Sequence, residues 1–218
     1  TLIEEVYKVC PGQILTLDLN NRTLSEMWFG HKERFSDQNE DQNEFNPNYL
    51  RELIGQSVSA HTMGLRPFGL YLSGGLDSTM VLHELVNHGV DTVRTYTTRF
   101  DIDDESFNED AEMAGRLTHD YKIEHHELLI SEDDFISATE KVFETIEEPR
   151  YNPSVAAYWL LAKYAAKDIV VVLSGNGGDE LFFGYPKYFE SRKISNRYKK
   201  YPDSLVNLWY DLNFLRKK

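Results

Sequence analysis

Tyr71-Leu72-Ser73-Gly74-Gly75-Leu76-Asp77-Ser78-Thr79 is the stretch on which the fold turns. The apolar run Phe68–Leu72 leads into it and reads as a short strand buried on both faces. A helix is predicted from about Asp77 to His88, stopped by Gly89. Strand, Ser-Gly-Gly turn and helix start are the parts of an anion cradle. The glycines let the backbone approach a ligand, while free amides and the positive end of the helix point at negative charge. Ser73 and Ser78 add hydroxyl donors, and Asp77 offers a carboxylate to a metal. A tight βα turn with Asp77 as a cap is the plainer reading. The Gly-Lys-Ser/Thr of a P-loop is missing.

Outward from this stretch the texture is alternating helix and strand. Asn46-Pro47 opens a helix that presents Leu50, Leu53, Ile54 and Val58 on one side. Strands are expected at Val93–Thr98, Ile123–Ile130 and Ile169–Leu173, and helices at Asn108–Thr118, Glu132–Ile146 and Pro153–Lys167. That alternation implies right-handed crossovers and an α/β fold, a mainly parallel sheet flanked by helices on both faces. Residues 1–30 read instead as a short β segment with turns at Pro11-Gly12 and Asn20-Asn21, marginal alone and expected to lean on another domain. Residues 31–46 are polar and acidic, a linker, and 47–218 form the main domain.

A second glycine loop follows the last strand: Leu173-Ser174-Gly175-Asn176-Gly177-Gly178-Asp179-Glu180-Leu181-Phe182-Phe183-Gly184-Tyr185. Ligands of open α/β sheets lie outside the carboxyl ends of the strands, so both loops can close on one nucleotide. Asp77 and Asp179 would then face its phosphates, a setting that suits Mg²⁺. The plainer reading of Asp179 and Glu180 is charge at a helix N-terminus.

The 218 residues include 41% hydrophobic ones, enough for a core and too many for a disordered chain. No run approaches the roughly 20 apolar residues of a membrane span. Glu4 and Glu5 stand where a signal peptide needs a basic start, and Cys10 is the lone cysteine. A cytoplasmic setting is expected. The net charge of −13 disfavours nucleic acid. Residues 187–218 carry nine basic against three acidic residues, which leaves −19 on the first 186. This basic tail reads as a solvated helix face or as a subunit or polyanion contact, which keeps a homodimer among the candidate assemblies.

Together the motifs carry a resemblance. Ser-Gly-Gly-Leu-Asp-Ser is similar to the pyrophosphate loop of the N-type ATP pyrophosphatases (the PP-loop superfamily, adenine nucleotide alpha hydrolase-like). With "LSGNGGDELFFGYPKY" it resembles the synthetase domain of the asparagine synthetase family, which includes the β-lactam synthetases. "FNEDAEMAGRLTHDYKIEHHEL" and "EEPRYNPSVAAYWLLAKYA" resemble the intervening segments. "VYKVCPGQILTLDL" resembles the handover from the glutaminase domain.

The resemblance implies an AMP-forming ligase. A carboxylate, aspartate by family default, attacks ATP to give an acyl-adenylate and pyrophosphate, and ammonia from glutamine then displaces AMP. It implies that Ser73, Gly74, Gly75, Asp77 and Ser78 bind pyrophosphate and that Asp77 and Asp179 hold Mg²⁺. It further implies that Leu72, Thr98, Ser174 and Gly175 would surround adenine and ribose, and it makes Asp77 and Asn176 the candidate catalytic positions. Three positions depart from the family: Asn176 for a carboxylate, and Arg99 and Phe183 for glycines. Asn keeps the size of the carboxylate but not its charge. The glutaminase cysteine and a later lysine lie outside these residues, so the chain is expected to be a fragment, inactive alone. A related acceptor or a non-catalytic nucleotide-binding scaffold are the alternatives, and a tRNA-thiolating enzyme ranks last for want of cysteines.

The remaining features read plainly. Cys10 is a linker residue, His125-His126 point to opposite faces of a strand and serve packing, and Tyr158, Leu161 and Ala165 have core spacing. Glu147-Glu148-Pro149 fits an acceptor-site wall or an exposed helix end.

Overall fold

Four parallel strands build the central sheet: β3 (Phe68–Tyr71), β4 (Arg94–Phe100), β5 (Glu124–Ile130) and β6 (Val171–Ser174). A separate antiparallel hairpin precedes them, β1 (Gln13–Asp18) and β2 (Thr23–Trp28). The computed structural model describes residues 3–29, 46–64, 67–90, 93–146, 152 and 154–198. The 31–45 part of the expected linker, the segment Glu147-Glu148-Pro149 and the tail from 199 lie outside them.

The order in the sheet is β5-β4-β3-β6. The chain steps outward from β3 to β5 and then returns to place β6 on the other side of β3. A topological switch point therefore lies between β3 and β6, where ligand sites of open sheets form.

Alternation along the strands loads both faces. Leu70 and Leu72 face one core with Val58 of α1 (Pro47–His61), Leu82 and Leu85 of α2 (Leu76–Asn87) and Ala114 of α3 (Glu109–Tyr121). Tyr96 faces the other core with Leu161 and Ala165 of α5 (Ser154–Ala165), and Tyr71 packs against it. Helix α4 (Glu132–Thr145) packs on α5. The expected sheet with helices on both faces is the observed one.

Local signals explain most element ends. The Asn46 side chain accepts from the Asn48 and Tyr49 amides at 3.0 and 3.2 Å, with Pro47 at the first helical position. Ser131 and Asp134 form a reciprocal capping box that opens α4.

Several expectations are corrected. Leu53 is exposed, so the buried stripe of α1 is narrower than its apolar spacing. Strand β4 runs on to Phe100, because Phe100 still pairs with Ile130 of β5. Helix α3 continues to Tyr121 and closes on Lys122 in the left-handed region. Strand β6 begins at Val171; Ile169 is buried just before it and packs in the Tyr96 core. Helices α6 (Gly178–Phe182) and α7 (Pro186–Tyr198) follow the second glycine loop.

Candidate active site at the switch point

Tyr71 and Ser174 are register partners, so the two glycine loops leave neighbouring strand ends on the same edge of the sheet. They touch. A Cβ on Gly175 would lie 2.6 Å from the Ser78 amide nitrogen and 2.9 Å from Asp77 backbone carbon. A Cβ on Gly178 would overlap the Asp77 carboxylate. Glycine at 175 and 178 is thus what lets the second loop lie against the start of α2.

The first loop is held from within. Ser78, 4% exposed, accepts from the Ser73 amide at 3.2 Å and donates to the Gly75 carbonyl at 3.2 Å. The Ser73 hydroxyl lies 3.1 Å from that of Ser78 and accepts from the Gly75 amide at 3.3 Å. Leu72 is fixed from β4, its amide donating to the Tyr96 carbonyl at 3.0 Å and its carbonyl accepting from the Thr97 hydroxyl.

The loops floor a cleft of about 1260 Å³. Leu72, Ser73, Gly75, Asp77, Ser78, Thr98, Ser174, Gly175, Asn176 and Asp179 all line it. Gly74 does not line it. With φ +77, its missing Cβ would lie 2.6 Å from the Asp110 carbonyl, so glycine here admits α3.

The lining is strongly acidic: Asp77, Asp101, Asp110, Glu132, Asp179 and Glu180 face the cleft. Among its described lining residues there is no Lys, Arg or His. Burial first, then Asp179 and Glu180, push the Asp77 carboxyl above its ordinary value. Glu180 accepts from the Tyr185 hydroxyl, and this hydrogen bond is the first cause that lifts the Tyr185 phenol. Among the described residues no cluster of three or more His, Cys, Asp or Glu side chains is placed to hold a metal. The oxygen set at the loop junction fits a hard cation that takes most of its ligands from water and phosphate.

Sequence reasoning missed the walls. Tyr158, read as core, is 44% exposed and lines the cleft, with its hydroxyl 3.5 Å from Asn176 Oδ1. Its neighbours in the stripe, Leu161 and Ala165, are buried. The signal was available in the mouth-side position of Tyr158, one turn before Leu161, but spacing alone does not separate a core edge from a cleft wall. Phe100, Phe107 and Phe135 form a second, apolar wall at the ends of β4 and β5. There the Asn108 side chain brackets the end of β4, accepting from the Phe100 amide and donating to its carbonyl, both at 2.9 Å.

The departures fall unevenly. Arg99 does not line the cleft; its Nε lies 2.6 Å from Glu127 Oε1, beside α3. Phe183 ends α6 in the left-handed region at φ +58, a conformation natural to glycine. His125 meets the Thr95 hydroxyl at 2.9 Å, while His126 stacks on Tyr96 at 5.0 Å. Cys10 is exposed in the hairpin region.

Comparison with known proteins adds to this geometry. The family model "Asparagine synthase" matches residues 49–217. A putative glutamine-hydrolysing asparagine synthetase of Mycobacterium tuberculosis is 32% identical over 141 residues, 65% of this chain and 21% of that protein. Glutamine-hydrolysing asparagine synthetase 1 of Bacillus subtilis is 27% identical over 208 residues, 95% of this chain and 32% of that protein. The mouse glutamine-hydrolysing asparagine synthetase is 32% identical over 175 residues, 78% of this chain and 31% of that protein. The chain therefore spans between a fifth and a third of the length of these relatives. Among solved structures, an NH3-dependent NAD synthetase from Campylobacter jejuni overlaps at TM-score 0.45 and 19% identity, covering 65% of this chain and 61% of that one. That overlap is too loose to bear on function.

Proposed function

The chain belongs to the asparagine synthase family, and we propose on that premise that its cleft is the adenylating site of an ATP-dependent, amide-forming ligase. The observation that carries this reading is the contact of two glycine loops at the β3/β6 switch point, with the Asp77 carboxylate against Gly178 and under the influence of Asp179.

In this reading the Ser73–Ser78 loop seats the pyrophosphate of ATP on its amides and hydroxyls, as helix-start loops do. Leu72, Thr98, Ser174 and Gly175 surround adenine and ribose. Asp77 and Asp179 would hold Mg²⁺, which supplies charge neutralisation on the departing pyrophosphate. The acceptor carboxylate, aspartate in the first instance, attacks the α-phosphorus in line. Bond formation to that phosphorus expels pyrophosphate and leaves an acyl-adenylate. Ammonia then attacks the acyl carbon, and AMP departs. The loops contribute alignment and fixed dipoles aimed at the charge that develops.

Ammonia would come from glutamine, cleaved in an upstream domain of which residues 1–30 are the end. The hairpin supports this, since Leu17, Leu24, Met27 and Trp28 stand exposed on a two-stranded sheet that the central sheet does not extend. No helix among the described residues is long and apolar enough to cross a membrane.

The test uses the full-length protein with ATP, Mg²⁺, aspartate and ammonium. Stoichiometric pyrophosphate and AMP are expected. Release of ADP and phosphate, or no product with any carboxylate, would refute the adenylating reading and favour a nucleotide-binding scaffold.

A further inference from the structure

Asn176-Gly177 is the only Asn-Gly step in the 218 residues, and both residues line the cleft from the second glycine loop. An Asn amide followed by glycine is open to attack by its own backbone, because the attacking nitrogen belongs to a residue with no Cβ to shield it. The structure leaves this step unprotected. Asn176 and Gly177 are both exposed. The Gly177 amide donates to no acceptor among the described residues, and nothing lies within 4 Å of where its Cβ would stand. With φ +96, Gly177 holds this peptide in a turn, outside any helix or strand ladder. Among the described residues the Asn176 side chain meets only the Tyr158 hydroxyl, at 3.5 Å, the outer limit of a hydrogen bond. Other asparagines are placed differently. Asn108 is buried and brackets Phe100, Asn46 caps α1, and the Asn21 Nδ2 donates to Asp18 at 2.7 Å. Each of these three is followed by a residue with a side chain.

We propose that Asn176-Gly177 is a self-modifying site, at which the folded protein converts the Asn176 amide into a carboxylate on the cleft wall. The Gly177 nitrogen, having lost its proton to solvent, attacks Asn176 Cγ. The bond from Cγ to the side-chain nitrogen breaks, and the nitrogen leaves with the electron pair, taking a proton from water to become ammonia. A five-membered succinimide ring remains. Water then opens that ring at either of its two carbonyls and leaves an aspartyl or an isoaspartyl residue. The sum is amide plus water to acid plus ammonia, with nothing oxidised or reduced, and the acid is ionised at neutral pH. Its position gives the step a consequence. Gly175 and Gly178, which flank the pair, both pack against Asp77. Conversion therefore adds a negative charge to the loop that carries Asp179 and Glu180, and it strengthens the pull of the cleft on a divalent cation. The aspartyl product keeps the backbone length between the two packed glycines. The isoaspartyl product lengthens it by one carbon, so the aspartyl form is the one that keeps the loops in contact.

The conversion is independent of the ligase reading, and its test uses no turnover. Full-length protein is held at mildly alkaline pH for several days, once folded and once in urea, and then digested with trypsin. Peptide 168–187 contains Asn176 as its only amide side chain. In the folded protein this peptide is expected to gain the mass difference between an amide and an acid, with ammonia released in step and a share of the product labelled by isoaspartyl methyltransferase. Asn176→Gln, which would have to close a six-membered ring, is expected to show no conversion. Calorimetric titration with Mg²⁺ alone should find binding about threefold tighter in Asn176→Asp than in Asn176→Gln. A peptide that converts in urea but keeps its amide in the folded protein shows that the loop shields it, and overturns the inference. Equal Mg²⁺ affinity in the two variants overturns the gain in cation binding. Failure of the ligase reading shows elsewhere, as absent pyrophosphate release, and leaves a measured conversion at Asn176 standing.

Discussion

Gly175→Ala probes the contact on which the site is built. The added Cβ would lie 2.6 Å from the Ser78 amide nitrogen and 2.9 Å from both the backbone carbon and the Cβ of Asp77. Ordinary van der Waals contact at such a position begins at 3.4 Å, so the shortfall is about 0.8 Å. Two of the three opposing atoms are backbone at the start of α2, and no flexible side-chain end is available to swing aside. The loops must part. Overpacking of this kind costs about 1–3 kcal/mol, which lowers the melting temperature by roughly 2–4 °C per kcal/mol for a chain of this size. The same displacement separates Asp77 from the second loop, so binding of Mg·ATP should weaken together with stability. Gly115→Ala is the control: its Cβ meets nothing within 4 Å in the middle of α3, and it should gain about 0.5–1 kcal/mol from helix propensity. The assay is thermal denaturation followed by circular dichroism, paired with calorimetric titration of Mg·ATP. A Gly175→Ala protein that melts with the wild type and binds Mg·ATP equally well would refute the contact.

Asp77→Asn should abolish pyrophosphate release yet stabilise the metal-free fold. Burial and two neighbouring carboxylates lift the Asp77 carboxyl above 3.8, so its ionisation disfavours folding, and that cost grows as pH rises from the unfolded value through the lifted one. The gain in melting temperature is therefore expected at pH 7 and should shrink as pH falls toward 4; a loss at pH 7 would contradict the electrostatics. Asn108→Ala removes both hydrogen bonds that bracket Phe100 and leaves its buried-side amide and carbonyl without them, for a cost of about 2–3 kcal/mol. Urea denaturation reads it, and a change under about 0.5 kcal/mol would show that the bracket is replaceable. Lys122→Gly relieves a left-handed C-cap at φ +57 and should stabilise by about 1 kcal/mol, read as an upward shift of the same transition.

The order and type of the main elements were legible because their signals are local. Asn46-Pro47 fixes a helix start, Gly89 a helix stop, and the apolar runs at 68–72 and 169–173 leave little choice but strands, although β6 takes up only Val171 onward and is half-exposed. The two loops were legible because glycine, serine and aspartate after a buried strand have few other uses. What failed depends on distance in space. Strand β4 gains its last residues only from pairing with β5, and no feature of Thr98–Phe100 itself announces this. Tyr158 shares the spacing of Leu161 and Ala165, yet it is exposed to the cleft with its hydroxyl near Asn176 of the second loop, a neighbour that spacing does not announce. Arg99 departs from a family glycine and adjoins Thr98, a cleft-lining residue. Strand alternation turns it to Glu127 instead, a reading the period of two already allowed.

The charge of the cleft bears on how its substrates can enter. Six carboxylates line it, none of them in an ion pair among the described residues. A bare triphosphate would meet six like charges in the lining, and the glycine-loop amides alone are weak compensation for them. On the ligase reading ATP must therefore arrive as its metal complex, with Asp77 and Asp179 completing a coordination shell that already exists on the nucleotide. This ordering gives the lifted Asp77 carboxyl a physical sense. On that reading Asp179 and Glu180 add to burial in lifting the Asp77 carboxyl, and a cation arriving with ATP would relieve this repulsion.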